Sequence, residues 1–154
     1  MLSADMNSEF NRRDLFRGSL MLAGAPTLCC STADVPPASI SYQRDTVEID
    51  LRAAADLART GASARLVDDD HKLDLMVAHP EKNRFVVLDR PCSHGGGPVA
   101  YSHRRRTVQC TCWGHSEFSL EGKVLAGPAK RPLRVYKTTL RGSRLKILLE
   151  ERPS

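Results

Sequence analysis

The sequence predicts an all-β fold, an antiparallel β-sandwich with a small ligand-bearing subdomain inserted between strands. Three observations carry that expectation. Five short segments, 46–51, 73–78, 84–88, 135–140 and 145–149, alternate polar and apolar residues as half-buried strands do. Turn-forming residues separate them: Pro80-Glu81-Lys82-Asn83, Gly122 and Arg141-Gly142-Ser143. The stretch 90–132, between the third and fourth of these strands, holds glycines, prolines and a Cys/His set instead, as loops built around a site do.

Taken in order, residues 1–33 read as a targeting segment. Asn11-Arg12-Arg13-Asp14-Leu15-Phe16-Arg17 is followed by an apolar stretch from Leu20 to Leu28 and a small-residue end, Ser31-Thr32-Ala33. The paired arginines resemble a twin-arginine export signal, which carries proteins that fold before crossing and implies a periplasmic location or the outer face of the cytoplasmic membrane. Asn11 departs from the Ser or Thr of that pattern. As a helix, residues 18–33 would reach about 24 Å against a hydrocarbon core of about 30 Å, so cleavage after Ala33 is expected rather than retention as an anchor. Cys29 and Cys30 follow Pro26-Thr27-Leu28, a poor lipid-attachment box.

Val35-Pro36-Pro37 marks residues 34–40 as a linker, and residues 41–154 as the domain proper. The Ala-rich stretch 52–59 is expected to form one or two helical turns before Gly61. Without the leader roughly 120 residues remain, room for one core and no second catalytic domain. The net charge of +5 constrains partners only weakly.

Chemistry concentrates in two short pairs, Cys92-Ser93-His94 and Cys112-Trp113-Gly114-His115. Each mixes one sulfur with one ring nitrogen. Gly95, Gly96 and Gly97 let the backbone turn tightly beside a ligand and bring N–H groups close to sulfur, where a Cβ would collide. From Cys92 to Tyr136 the chain resembles the Rieske family, through C-S-H-G-G-G-P-V, then C-T-C-W-G-H-S-E-F-S-L-E-G-K-V-L-A-G-P-A-K-R-P-L-R-V-Y. In that family two thiolates hold one iron of a [2Fe–2S] cluster and two imidazoles hold the other. The resemblance therefore implies a Rieske-like sandwich, one cluster per chain, one-electron transfer, and Cys92, His94, Cys112 and His115 as ligands. It also implies that Gly127-Pro128-Ala129 closes over the cluster and that Ser116 helps to shield it.

Three departures bear on what is carried over. The positions that carry a bracing disulfide in quinol-oxidising members correspond to Gly97 and Gly114, so no brace is expected. Phe118 stands where high-potential members place a Tyr that donates to a ligand sulfur, which implies an intermediate or lower potential within the Rieske range. Family members also place Gly directly after the second His and the aromatic four residues on. Here Gly114 precedes His115, and Phe118 follows three residues later. The shift leaves Cys110 open as the second thiolate in place of Cys112, although the C-x-x-H spacing favours Cys112.

A zinc-stabilised β module that binds a partner without redox activity is the competing reading, but zinc sites pair Cys with Cys and His with His. His71, His79 and His103 lie in polar segments and are expected on the surface. The run His103-Arg104-Arg105-Arg106 falls between the ligand pairs; it is either a solvated turn or a basic docking site near the cluster end. Nucleic acid is not an expected partner, since no stacking aromatics are interleaved with the basic residues. The expected partner is a redox protein or the large subunit of an oxidoreductase, with a quinol or cytochrome link among the candidates and membrane contact only if the leader is retained. No independent catalytic site is read, because the length excludes the mononuclear-iron domain that ring-hydroxylating oxygenases need.

Overall fold

The computed structural model describes residues 32–149, and the expected leader, apart from its last two residues, lies outside them. Among the described residues no helix is long and apolar enough to cross a membrane. The described residues form twelve strands, in chain order β1 Ala33–Asp34, β2 Ile40–Gln43, β3 Thr46–Asp50, β4 Ser63–Asp68, β5 Leu73–Glu81, β6 Arg84–Asp89, β7 Val99–Ser102, β8 Thr107–Cys110, β9 Glu117–Phe118, β10 Val124–Ala126, β11 Val135–Arg141 and β12 Arg144–Leu148. Eight form one sheet in the order β1-β4-β5-β6-β11-β12-β3-β2, and the remaining four form a second sheet, β10-β9-β8-β7. The all-β sandwich expected from alternation is what the chain adopts.

The insertion is visible in the topology. β6 and β11 are neighbours in the large sheet, with Val135 opposite Leu88 and Tyr136 opposite Val87. Everything between them in sequence leaves the sheet at Asp89, builds the second sheet and its loops, and rejoins at Val135. The hairpin of β5 and β6 serves both cores, because successive side chains of a strand point to opposite faces. Leu75, Val77, Phe85 and Val87 pack into one apolar cluster with Ile49, Leu66 and Ile147. Met76, Ala78, Val86 and Leu88 pack into the other, with Cys92, Val108, Cys110 and Phe118. The insertion is thus bonded to the sandwich through buried apolar area rather than held on a flexible stalk.

Several local expectations are revised. Residues 34–40 are packed rather than a free spacer: β1 pairs in parallel with β4, Val35 is buried, and a 3-10 turn Pro37–Ser39 leads into β2. The stretch 52–59 makes successive turns, closed by bonds such as Leu57 N–H to the Ala54 carbonyl at 3.0 Å, and buries Ala54 and Leu57 without winding into a helix.

His79 was expected at the surface and is instead buried. β5 continues past Ala78 to Glu81 and is covered on both faces. The His79 ring stacks on Phe85 at 4.1 Å between centroids, and its Nδ1–H points to the Leu57 carbonyl at 3.2 Å. Its Nε2 has no hydrogen-bond partner among the described residues. Replacing the ring by Phe removes that orphaned acceptor and loses one ring–carbonyl bond, two changes of opposite sign and similar size. His79→Phe is therefore expected to change unfolding free energy by less than about 1 kcal/mol, read by urea titration.

Candidate functional site

Three loops at one end of the second sheet carry the candidate ligands. The first, after β6, is pulled into a tight bend by Cys92 N–H donating to the Gly97 carbonyl at 2.7 Å and Gly96 N–H donating to the Cys92 carbonyl at 2.8 Å. The second, between β8 and β9, is pinned at its base where Cys110 N–H donates to the Ser116 carbonyl at 2.8 Å. Thr111 ties it to the first loop, with its N–H and its hydroxyl both donating to the Pro98 carbonyl. The third, Gly127-Pro128-Ala129, rests on the second: Ala129 N–H donates to Ser116 Oγ at 3.1 Å, and Ser116 is fully buried.

Side chains sort by depth. Cys92 and Cys110 are each only 2% exposed, and Cys112 is partly buried. His94 and His115 are both exposed. Alternation explains Cys110: in β8 the inward residues are Val108 and Cys110, so its thiol enters the same apolar cluster as Cys92. Cys112 lies two residues beyond the strand end, over Gly97, where a Cβ at 97 would stand 2.7 Å from the Cys112 Cβ and 3.1 Å from its sulfur.

The three thiols touch one another. Burial first, and the Cys112 sulfur next, push the Cys110 thiol up to about 12. Cys112 moves down, because the Cys110 thiol and then the Gly114 N–H donate to it. In the metal-free protein Cys112 is thus the readier thiolate. That ordering does not choose the ligand, since a bound iron deprotonates a coordinating thiol outright. Depth separates the two: Cys110 lies inside the apolar cluster with Cys92, whereas Cys112 is partly exposed.

The nitrogen end is also shifted from expectation. A Cβ at Gly114 would stand 2.8 Å from His94 Nδ1 and 3.0 Å from Pro128, so residue 114 is the part of the second loop that faces the His94 ring. His115 follows with φ +43°, a left-handed backbone that His tolerates better than most residues, and its N–H donates to the Cys112 carbonyl at 3.1 Å. Gly97 faces Cys112 rather than Gly114, so the pair of positions that would carry a brace is 97 and 112. Phe118 is fully buried opposite Val108 and offers no hydroxyl.

A model of the Rieske [2Fe-2S] domain family matches residues 47–137, more than half of the chain. The chain belongs to the Rieske [2Fe-2S] family. The family binds a [2Fe–2S] cluster and carries out Rieske-type electron transfer. Among solved structures, the ferredoxin of carbazole 1,9a-dioxygenase from Nocardioides aromaticivorans IC177 is similar at 17% identity, covering 62% of this chain and 91% of that one with a TM-score of 0.53. A chain from the complex of reduced oxygenase and oxidized ferredoxin in carbazole 1,9a-dioxygenase gives 18% identity, 66% and 92% coverage, and 0.54. At these identities the likeness is one of fold. The cyanobacterial plasma membrane Rieske protein PetC3 from Synechocystis PCC 6803 is 27% identical over 64% of this chain and 90% of that one, with a TM-score of 0.48. No curated protein matches.

The residues present fit the cluster by the chemistry and depth of the donor set. Soft sulfurs lie inside and imidazoles lie toward water, as a core with one thiolate-held and one imidazole-held iron requires. Three sulfurs are available where two are needed.

The basic run is not at this end. β7 and β8 are four residues each, so the tip carrying His103–Arg106 stands roughly 13 Å of strand away from the loops. There Arg106 pairs with Glu81, Arg105 lies 3.9 Å from Glu117, and His103 Nδ1 meets the Tyr101 hydroxyl at 2.9 Å. Exposed pairs of this kind contribute little to stability and leave little net charge for a partner.

Proposed function

We infer that this protein is a one-electron carrier, exported by the twin-arginine route and serving a redox protein or the larger subunit of an oxidoreductase. The observation that carries the reading is the sorting of donors by depth, with Cys92 and Cys110 inside and His94 and His115 at the surface. Cys92 and Cys110 would hold the inner iron and His94 and His115 the outer one, with Cys112 as a sulfur beside them. When bound, the cluster supplies reversible one-electron redox at a potential above that of plant-type ferredoxins, because two neutral imidazoles replace two thiolates.

The chain's own residues set the conditions. The apolar cluster around Cys92 and Cys110 keeps water from the inner end, and Ser116 with the Gly127-Pro128-Ala129 loop covers the side. The exposed imidazoles offer the shortest route outward for an electron. One similar structure pairs a ferredoxin with an oxygenase, which supports a protein redox partner for this chain. The export half of the reading rests on Arg12 and Arg13.

Zinc is less well served by this geometry. Structural zinc sites pair Cys with Cys and His with His, whereas each loop here mixes one sulfur with one ring nitrogen. A two-iron core asks for only two protein donors at each end. The test is direct: protein purified without oxygen is expected to be brown, to hold about two irons and two acid-labile sulfides per chain, and to give a rhombic EPR signal on reduction. A colourless, EPR-silent, zinc-containing product would overturn the reading.

A further inference from the structure

The loop end carries a feature that ligand chemistry does not require. Trp113 is the only tryptophan of the chain, and its side chain is 100% exposed at the tip of the second loop. An indole left wholly in water forgoes the largest burial gain open to any side chain, and such residues are the ones that most often anchor protein interfaces.

The charge at this end is one-sided. Residues 91–98, 111–116 and 127–132, which make the three loops, include no Asp or Glu. They include Lys130 and Arg131, both exposed and neither in an ion pair with the described residues. The Ser93 hydroxyl donates to the Arg131 carbonyl at 2.6 Å, which fixes the two cations beside the first loop. Pro128 lies against Gly114, the neighbour of Trp113. The acidic residues that flank the loops are engaged elsewhere: Asp89 accepts from the Tyr136 hydroxyl at 2.6 Å, and Glu117 from Thr107 Oγ1 at 2.6 Å.

We propose that this end docks an acidic face of a protein partner, with Trp113 seated in an apolar socket and Lys130 and Arg131 meeting carboxylates around its rim. The proposal rests on the one-electron reading in one respect, that the docked end is the end where His94 and His115 reach the surface. Positive charge on the third loop would steer such a partner and orient it, raising the rate of encounter in a salt-dependent way. The exposed indole would then hold the oriented complex by excluding water at its centre.

The sole tryptophan makes the test direct in the full, loaded protein. The probe is a synthetic amphipathic peptide rich in Glu and Leu, with a Lys and Leu counterpart as control. The acidic peptide is expected to shift Trp113 emission to the blue, with an affinity that falls as salt rises. K130E/R131E is expected to weaken binding at least tenfold and Trp113→Ala by a similar factor, the latter read from anisotropy of a labelled peptide. Equal binding of the basic peptide, or binding of the acidic peptide unchanged in K130E/R131E, would overturn the proposal. Iron and sulfide are measured on the same samples. Peptide binding by protein that holds zinc refutes the electron-carrier reading alone, whereas failure to bind by fully loaded protein refutes the docking surface alone.

Discussion

Cys110→Ala is expected to yield a folded protein that takes up almost no iron, whereas Cys112→Ala is expected to keep its cluster. The two cysteines are separated by one residue and both touch Cys92, yet their surroundings differ. Cys110 ends a strand whose inward positions are Val108 and Cys110, and its thiol sits in the apolar cluster beside Cys92. Cys112 is past the strand, partly in water, and stacked over Gly97. A buried iron that loses one of two thiolates keeps an uncompensated charge in an apolar site, which is strongly unfavourable. Removing Cys112 instead removes a neighbour that hydrogen-bonds to sulfur, which tunes a centre without emptying it.

Iron and acid-labile sulfide per chain, with visible absorbance, separate the outcomes. Circular dichroism of the metal-free forms checks that both variants fold, as the small Cys-to-Ala volume change predicts. Loss of the cluster in Cys112→Ala and its retention in Cys110→Ala would restore Cys112 as the second thiolate, as the C-x-x-H spacing alone suggests.

Spacing and strand alternation point to different cysteines here. V-Q-C at residues 108–110 is a period-two pattern ending in cysteine, and it directs Cys110 to the same face as Val108. That signal was present but faint, because β8 is only four residues long and is surrounded by loops. The five strands with clear alternation were legible to within a few residues. β4 was not: its only buried side chains are Ala64 and Leu66, and the exposed Val67 that follows them breaks the apolar alternation. β7 to β10 were hidden as well, being short strands whose stability comes from packing on Met76, Ala78, Val86 and Leu88 rather than from their own pattern.

Burial of His79 and the position of the basic run needed the third dimension. His79 belongs to a strand covered on both faces, where a polar residue can be stacked and buried without any break in the local pattern. The run His103–Arg106 is near the ligand pairs in sequence, but a hairpin puts its tip at the far end from its base. The loop end therefore draws its charge from Lys130 and Arg131, a pair between Pro128 and Pro132 too short to stand out as a basic run.

Gly127→Ala is expected to loosen the cover of the site and to cost about 3 kcal/mol of stability. Two effects add. Residue 127 has φ +89°, which a side chain seldom adopts, and a Cβ there would lie 2.6 Å from the Ser116 Cα and 3.0 Å from its nitrogen. The two nearest obstructing atoms are Ser116 backbone, so no rotamer change relieves the clash. The third loop must lift, and the Ala129 N–H to Ser116 Oγ bond must lengthen or break. Because Ser116 also carries the carbonyl that receives the Cys110 N–H, the displacement reaches the base of the second loop. The variant should bind its cluster and then lose it faster in air than the parent does, with bleaching of visible absorbance as the readout and thermal unfolding as the measure of stability. Unchanged bleaching together with the expected loss of stability would show that the third loop braces the fold without shielding the centre.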